Sequence, residues 1–405
     1  MAKNLLVGQS GGPTAAINAT LAGVFSKAKE CGIDKVYGMR YGIGGFLDGK
    51  YVDLSEQITS TEDLELLKRT PSAFLGSCRY KLPNEGEVYD KIFEKLNELE
   101  IKYFLYIGGN DSMDTIKKLS AYGRKIGSDI AFIGVPKTID NDLPVTDHTP
   151  GFGSAAKYIA TSFKELRRDA VVYDMKSVAI VEIMGRDAGW LTAAAALADD
   201  GNSKGADLIY LPERTFDITD FLARVKKLCE ERGNIIIAVS EGVKTADGKY
   251  VCDMREGLSG PDAFGHSMLS GTGFVLATLV NTMLGIKSRA VELSTLQRCG
   301  AHILSGSDME EAFSAGAAAV SRAVEGMSGI MVTFERVSDN PYEIKIGTVN
   351  VNMVANEVKF VPQDWIPDDG KINRDAIRKY MLPLIDGEFY PIVKNGLPQH
   401  LVIKE

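Results

Sequence analysis

A chain of 405 residues, 25% charged and 45% apolar, is ordinary for a soluble globular protein and long enough that two domains are expected. Its net charge of −8 argues against nucleic acid or an anionic membrane as the main partner, although local charge still decides whether a small anion can bind. Five cysteines (Cys31, Cys78, Cys229, Cys252 and Cys299) are odd in number and lack metal-ligand spacing, which predicts reduced thiols in a cytosol rather than a disulfide frame or a zinc site. The chain runs straight into a strand, so no signal peptide is expected, and no apolar run is long enough to span a bilayer.

In chain order, short apolar runs at 5–7, 103–107, 130–135, 178–183, 208–211, 235–239 and 329–334 read as buried strands. Amphipathic patterns at 88–98, 112–119, 155–166 and 217–232 read as helices. This alternation predicts an α/β fold with parallel sheets covered by helices on both faces. There is no strong internal repeat. Beyond Asp339 prolines become more frequent, and two short β-like stretches around 344–351 are expected to join one of the domains.

Ligands in such sheets bind beyond the carboxyl ends of the strands, and several unusual turns fall there. The first, Gly8-Gln9-Ser10-Gly11-Gly12-Pro13-Thr14-Ala15-Ala16-Ile17-Asn18, follows the first strand. Its glycines allow close backbone approach to an anion, and a following helix offers free N–H groups. A tight strand-to-helix turn uses the same residues, and the Lys-Ser/Thr ending of a Walker loop is missing. The second, Gly108-Gly109-Asn110-Asp111-Ser112, suits a phosphate and metal site, or a helix cap. In the third, Lys137-Thr138-Ile139-Asp140-Asn141-Asp142, a carboxylate beside a cation can serve as a base for a hydroxyl. The lysine can meet phosphate oxygens as a point charge; a solvated acidic loop is the plainer alternative. The fourth, Met184-Gly185-Arg186-Asp187, puts an arginine where it can meet an anion or a structural carboxylate. Ser240-Glu241-Gly242 follows another strand, and Arg289 and Arg298 are nine residues apart, close enough in sequence to clamp a sugar phosphate or simply to lie on the surface. His148, His266, His302 and His400 have no ligand spacing and read as structural or exposed.

The order of these segments resembles the phosphofructokinase family over roughly residues 4–335. The resemblance implies two similar Rossmann-like three-layer domains with parallel-rich sheets and the active site in the cleft between them. It implies a donor domain of residues 1–150 plus about 297–338, and a sugar phosphate domain of residues 151–296 plus about 339–405. Asp140 would be the general base on the sugar 1-hydroxyl, Thr138 would sit against the transferring group, and Asp142 would support Asp140 and the metal shell. Gly11, Gly12, Arg79, Gly109 and Ser112 would hold the donor. Met184, Gly185, Arg186 and Glu241 would hold fructose 6-phosphate. Arg298 would bind its 6-phosphate, with Arg289 reaching it from a neighbouring subunit.

ATP users of the family typically carry glycine at the positions of Asp111 and Lys137, and this pair resembles the pyrophosphate-dependent branch. A carboxylate at 111 fills and repels the space of an α-phosphate, and Lys137 replaces charge on a smaller donor. The resemblance thus implies magnesium, pyrophosphate as donor, fructose 6-phosphate as acceptor, and a homo-oligomer, dimer or tetramer. An ATP-dependent enzyme and a non-catalytic sugar-phosphate binder are the alternatives. Asn110 stands where the family usually has a magnesium-binding aspartate, Thr295 where many members have histidine or tyrosine, and Ser177 where many bacterial members have arginine.

Overall fold

The apolar runs form strands because both of their faces are covered. Leu5 and Val7 face one core and Leu6 the opposite one; Leu105 and Ile107 are separated from Phe104 and Tyr106 in the same way. Val178 and Ile180 likewise face away from Ala179, Val181 and Ile183. A strand apolar on both faces belongs in a sheet sandwiched by helices.

The computed structural model describes residues 3–201, 204–254, 269–367 and 372–404. Up to Asn350 its strands are β1 (Asn4–Gln9), β2 (Val36–Met39), β3 (Tyr51–Asp53), β4 (Ile101–Gly108), β5 (Ala131–Pro136), β6 (Ser177–Ile183), β7 (Leu208–Tyr210), β8 (Asn234–Ser240), β9 (Lys287–Glu292), β10 (Leu304–Ser305), β11 (Ile330–Asp339) and β12 (Tyr342–Asn350), and three two-residue strands follow in the tail. A seven-stranded sheet runs β12-β11-β5-β4-β1-β2-β3, with antiparallel pairs only at its two ends. A four-stranded parallel sheet runs β7-β8-β6-β9. The architecture is α/β, as the alternation predicts. The two β-like stretches near 344–351 are one strand, β12, paired to β11 on the larger sheet. After Asn350 the chain crosses over, and Val361, Ile366, Ile377, Met381 and Leu384 pack into the core of the smaller sheet.

In the larger sheet the chain leaves β1 toward β2 on one side and lies against β4 on the other. Loops after β1, β4 and β5 therefore splay apart at their carboxyl ends and leave a crevice. The smaller sheet presents the carboxyl ends of β6 and β8 to the same crevice.

Two helices lie outside the amphipathic patterns named above, Ile17–Glu30 and Gly306–Val324. They pack against each other with their backbones almost touching. A Cβ on Gly23 would stand 2.0 Å from Phe313 O, and one on Gly316 2.1 Å from Thr20 O. The neighbours are backbone atoms, so a side chain could be fitted only by pushing the helices apart. Gly316→Ala is expected to cost about 1–3 kcal/mol of stability, measured as a lower urea midpoint at constant m-value. An unchanged midpoint would mean that this close approach contributes nothing.

Candidate active site

The loop after β1 is held by two buried amides. Gln9 Nε2 donates to Asn18 Oδ1 at 2.8 Å, and Asn18 Nδ2 donates to Thr70 O and Ser72 O, both at 2.8 Å. The backbone N–H groups of Phe74 and Leu75 return bonds to Asn18 Oδ1 (3.1 Å) and Gln9 Oε1 (2.9 Å). These bonds tie the glycine loop to the 70–78 segment that precedes Arg79. Gly11 takes φ +76°, in the region that favours glycine.

After β4, the helix Asn110–Lys125 begins with Asp111 in its first turn, where a carboxylate or an anion meets the positive end of the helix dipole. Ser112 is buried over Gly108. The Asn110 amide does not point freely into solvent: its Oδ1 accepts from Asn356 N, and its Nδ2 donates to Glu357 O.

After β5, the loop gathers a shifted lysine and two shifted carboxylates within six residues. Lys137 is buried and its Nζ donates to Gly12 O at 2.6 Å. Burial pushes the ammonium down to about 8, against the pull of Asp140 and Asp142. Asp140 is pushed up by burial and drawn back by Lys137, Thr138, Arg186 and Arg298. Thr138 Oγ1 donates to Asp140 Oδ2 at 3.3 Å and accepts from Asp140 N at 3.1 Å. Asp142 is also raised, by burial first and then by the charge of Asp140.

Facing this loop, the end of β6 is shaped by its neighbours. Gln297 Oε1 accepts from Met184 N at 3.3 Å, Ser240 Oγ donates to Gly185 O at 2.5 Å, and Glu241 Oε1 accepts from Gly185 N at 3.3 Å. Gly185 has φ +135° and no room for a side chain beside Ala188 O. Burial pushes Glu241 up to about 7, opposed by the Gly185 N–H and reinforced by Asp140 and Glu182.

The resulting cleft holds about 340 Å³. Gly11, Gly12, Arg79, Gly109, Asn110, Asp111, Ser112, Lys137, Thr138, Asp140, Asp142, Met184, Arg186, Glu241 and Arg298 all line it. Gly185 supports it from behind. Arg289, on β9, instead bonds Asp169 Oδ2 at 2.5 Å, and Thr295 is an exposed residue at the start of the short helix Leu296–Cys299; neither lines the cleft. His148 is buried between Asp147 and Glu311, away from the lining, while His266 lies outside the described residues. Sequence reading assigned no binding or catalytic role to Pro13, Ile139 and Asp187 on the lining, or to the supports Gln9, Asn18, Gln297 and Ser240. Gln9 and Asn18 flank the glycine run in the first motif, but nothing in the sequence shows that their amides meet.

The sequence profile described as Phosphofructokinase matches residues 4–322. The chain belongs to the phosphofructokinase family. The Pyrophosphate--fructose 6-phosphate 1-phosphotransferase of Xanthomonas campestris pv. campestris is 43% identical over 99% of this chain and 96% of its own length. The protein of the same name from Methylococcus capsulatus is 39% identical over 99% and 96%. The crystal structure of a pyrophosphate-dependent phosphofructokinase from Nitrosospira multiformis superposes with a TM-score of 0.88 at 40% identity, covering 99% of this chain and 96% of that one. The two-domain α/β arrangement of phosphofructokinases is therefore the arrangement of this chain.

The raised Glu241 has a consequence for stability. Its ordinary value is 4.5, against about 7 in the folded protein, so between these pH values the folded chain keeps a proton that the unfolded chain has lost. Stability then falls as pH rises through this window and levels off above it. Glu241→Gln is expected to raise the urea midpoint of the unliganded protein at pH 8 and leave it nearly unchanged at pH 4.5. Equal shifts at both pH values would show that Glu241 ionises normally.

Proposed function

We propose that this chain reversibly transfers a phosphoryl group from pyrophosphate to the 1-hydroxyl of fructose 6-phosphate, giving fructose 1,6-bisphosphate and phosphate. The carrying observation is Lys137. Its ammonium lies under the glycine loop, bonded to Gly12 O and 3.4 Å from where a Gly11 Cβ would stand. A compact cation there suits a small donor whose whole charge sits on two phosphates. Asp111 lines the same cleft and opposes the additional phosphate of a nucleotide. The relatives named above, at about 40% identity over nearly their full length, support this donor.

In this reading Asp140 takes the proton of the sugar hydroxyl as its oxygen bonds the transferring phosphorus. The phosphorus–oxygen bond to the second phosphate breaks, and Lys137 and Arg79 neutralise the departing charge. Thr138 keeps Asp140 oriented. Gly109 and Ser112, with Gly11 and Gly12, line the donor end. Met184, Gly185, Arg186 and Glu241 hold fructose 6-phosphate, and Arg298 meets its 6-phosphate. Arg289 and Thr295 fit that phosphate only if a neighbouring subunit completes the site, in keeping with a dimer or tetramer. The larger sheet, with its β11–β12 hairpin, is the donor half and the smaller sheet the sugar half, dividing the chain near 150, 297 and 339–350. No helix among the described residues is long and apolar enough to cross a membrane, and five free thiols suit a cytosolic setting.

The residues present fit a magnesium ion. Asp140 and Asp142 are half-buried, close enough to repel, and both raised, so a divalent cation would relieve them. No three His, Cys, Asp or Glu side chains among the described residues could hold a metal by themselves, as expected where the donor's phosphates and water supply the remaining ligands. Asp142 would hold the ion, with Asn110 reaching it through the remaining lone pair of Oδ1 or through water. Bound there, magnesium would neutralise phosphate charge.

Initial rates of fructose 1,6-bisphosphate formation, with magnesium and either pyrophosphate or ATP as sole donor, are expected to favour pyrophosphate strongly. Preference for ATP would keep the sugar site and overturn the donor assignment. Asp140→Ala is expected to reduce turnover about 10²–10⁴-fold with an unchanged unfolding temperature; near-normal turnover would remove the base. The double variant Asp111→Gly with Lys137→Gly is expected to gain ATP binding measurable by calorimetry, and its continued absence would refute the steric account.

A further inference from the structure

Residues 356–361 cross behind the cleft and bond to three of its loops in succession. At the donor end, Asn356 N and Glu357 O hold the two ends of the Asn110 amide, and Asn356 Nδ2 reaches Asp114 Oδ1 at 3.3 Å. In the middle, Lys359 N donates to Asp142 O at 2.7 Å. Its Nζ donates to Asn141 Oδ1 at 3.2 Å and to Asp147 O at 2.7 Å. At the sugar end, Trp190 Nε1 donates to Lys359 O at 2.9 Å. Val361 N and Gly189 N share Glu213 Oε1, at 3.0 and 2.8 Å.

The middle contact bears directly on the catalytic turn. Asn141 has φ +54°, a left-handed conformation that is uncommon outside glycine and that asparagine tolerates better than most side chains. Its amide is turned away from the cleft, Nδ2 donating to Tyr380 OH at 2.9 Å while Oδ1 accepts from Lys359. The flanking Asp140 and Asp142 consequently both face the cleft. Losing the Lys359 bonds would free Asn141 to relax and would rotate the two carboxylates with it.

We propose that residues 356–361 form a strap that keeps the donor, catalytic and sugar loops in register, with Lys359 as a positioning residue for Asp140. The role rests on the phosphoryl-transfer reading above, but Lys359 itself lies off the lining of the cleft.

A misplacement of the order of an ångström can lower turnover about 10²-fold without weakening binding. Lys359→Met is therefore expected to lower kcat by roughly that factor, with both Michaelis constants within about threefold of wild type. Turnover is taken per folded protein, from circular dichroism. Lys359→Arg, which can still donate to the same oxygens, is expected to recover at least about tenfold of the loss. Trp190→Phe removes one strap bond while keeping an aromatic ring, and a fall in kcat of about fivefold is expected. It carries the test should Lys359→Met fail to fold. All rates are ratios to wild type with whichever donor the wild type uses, so a failure of the pyrophosphate assignment is seen separately in the wild-type rates. Unchanged kcat in folded Lys359→Met, a loss confined to the Michaelis constants, no recovery by arginine, or unchanged kcat in Trp190→Phe would each overturn the proposal.

Discussion

Packing a lysine and two carboxylates into the six residues after β5 is the constraint on which the rest of the site depends. Each of these groups is pushed toward its neutral form by burial; Lys137 and the carboxylates hold one another charged, while Asp140 pushes Asp142 further up. Such a cluster tolerates desolvation only while its charges stay paired. The arrangement is consequently sensitive to any ligand that brings charge of its own. Phosphate groups entering the cleft would compensate Lys137, Arg186 and Arg298, and a cation would compensate Asp140 and Asp142.

The two sheets supply what a short turn cannot. A turn by itself would let Lys137 and Asp140 swing into water. Here the β1 loop closes over Lys137, with Gly12 O accepting a hydrogen bond from its ammonium and Gly11 leaving space for it. The β6 loop closes from the other side and sets Arg186 near Asp140. Glycine matters at these approaches because backbone, not side chain, forms much of the wall. At Gly242 a Cβ would stand 1.9 Å from Arg186 O. The loop that carries Arg186 therefore rests against bare backbone.

Residues beyond Asn350 show how a segment without any recognisable motif enters the chemistry. The segment 356–361 meets Asn110, Asp142 and Trp190 mainly through main-chain atoms. Backbone donors and acceptors are present at every position, so nothing in composition or spacing marks such a contact in advance. Asn356 and Lys359 also use their side chains, yet a lone asparagine or lysine in a proline-rich tail reads as solvated.

The sequence by itself determined the fold class and most of the cleft. Strands apolar on both faces can lie only in covered parallel sheets, and the glycine and aspartate turns after them can be reached by ligand only at strand ends. That logic marked Gly11, Lys137, Asp140, Arg186 and Glu241. The helix Ile17–Glu30 is expected only from the glycine turn before it, because burial on nearly every side leaves no polar face to give a period. β3 and β9 escaped that logic because a very short strand and a half-exposed edge strand carry little apolar signal. Tertiary structure alone decided which partners the marked residues have: that Lys137 sits on Gly12, that the Asn110 amide is taken up by Asn356 and Glu357, and that Arg289 turns to Asp169. Local pattern governs which residues a strand end presents. Pairing between distant segments depends on how two sheets and a returning tail pack, and that information is spread over the whole chain.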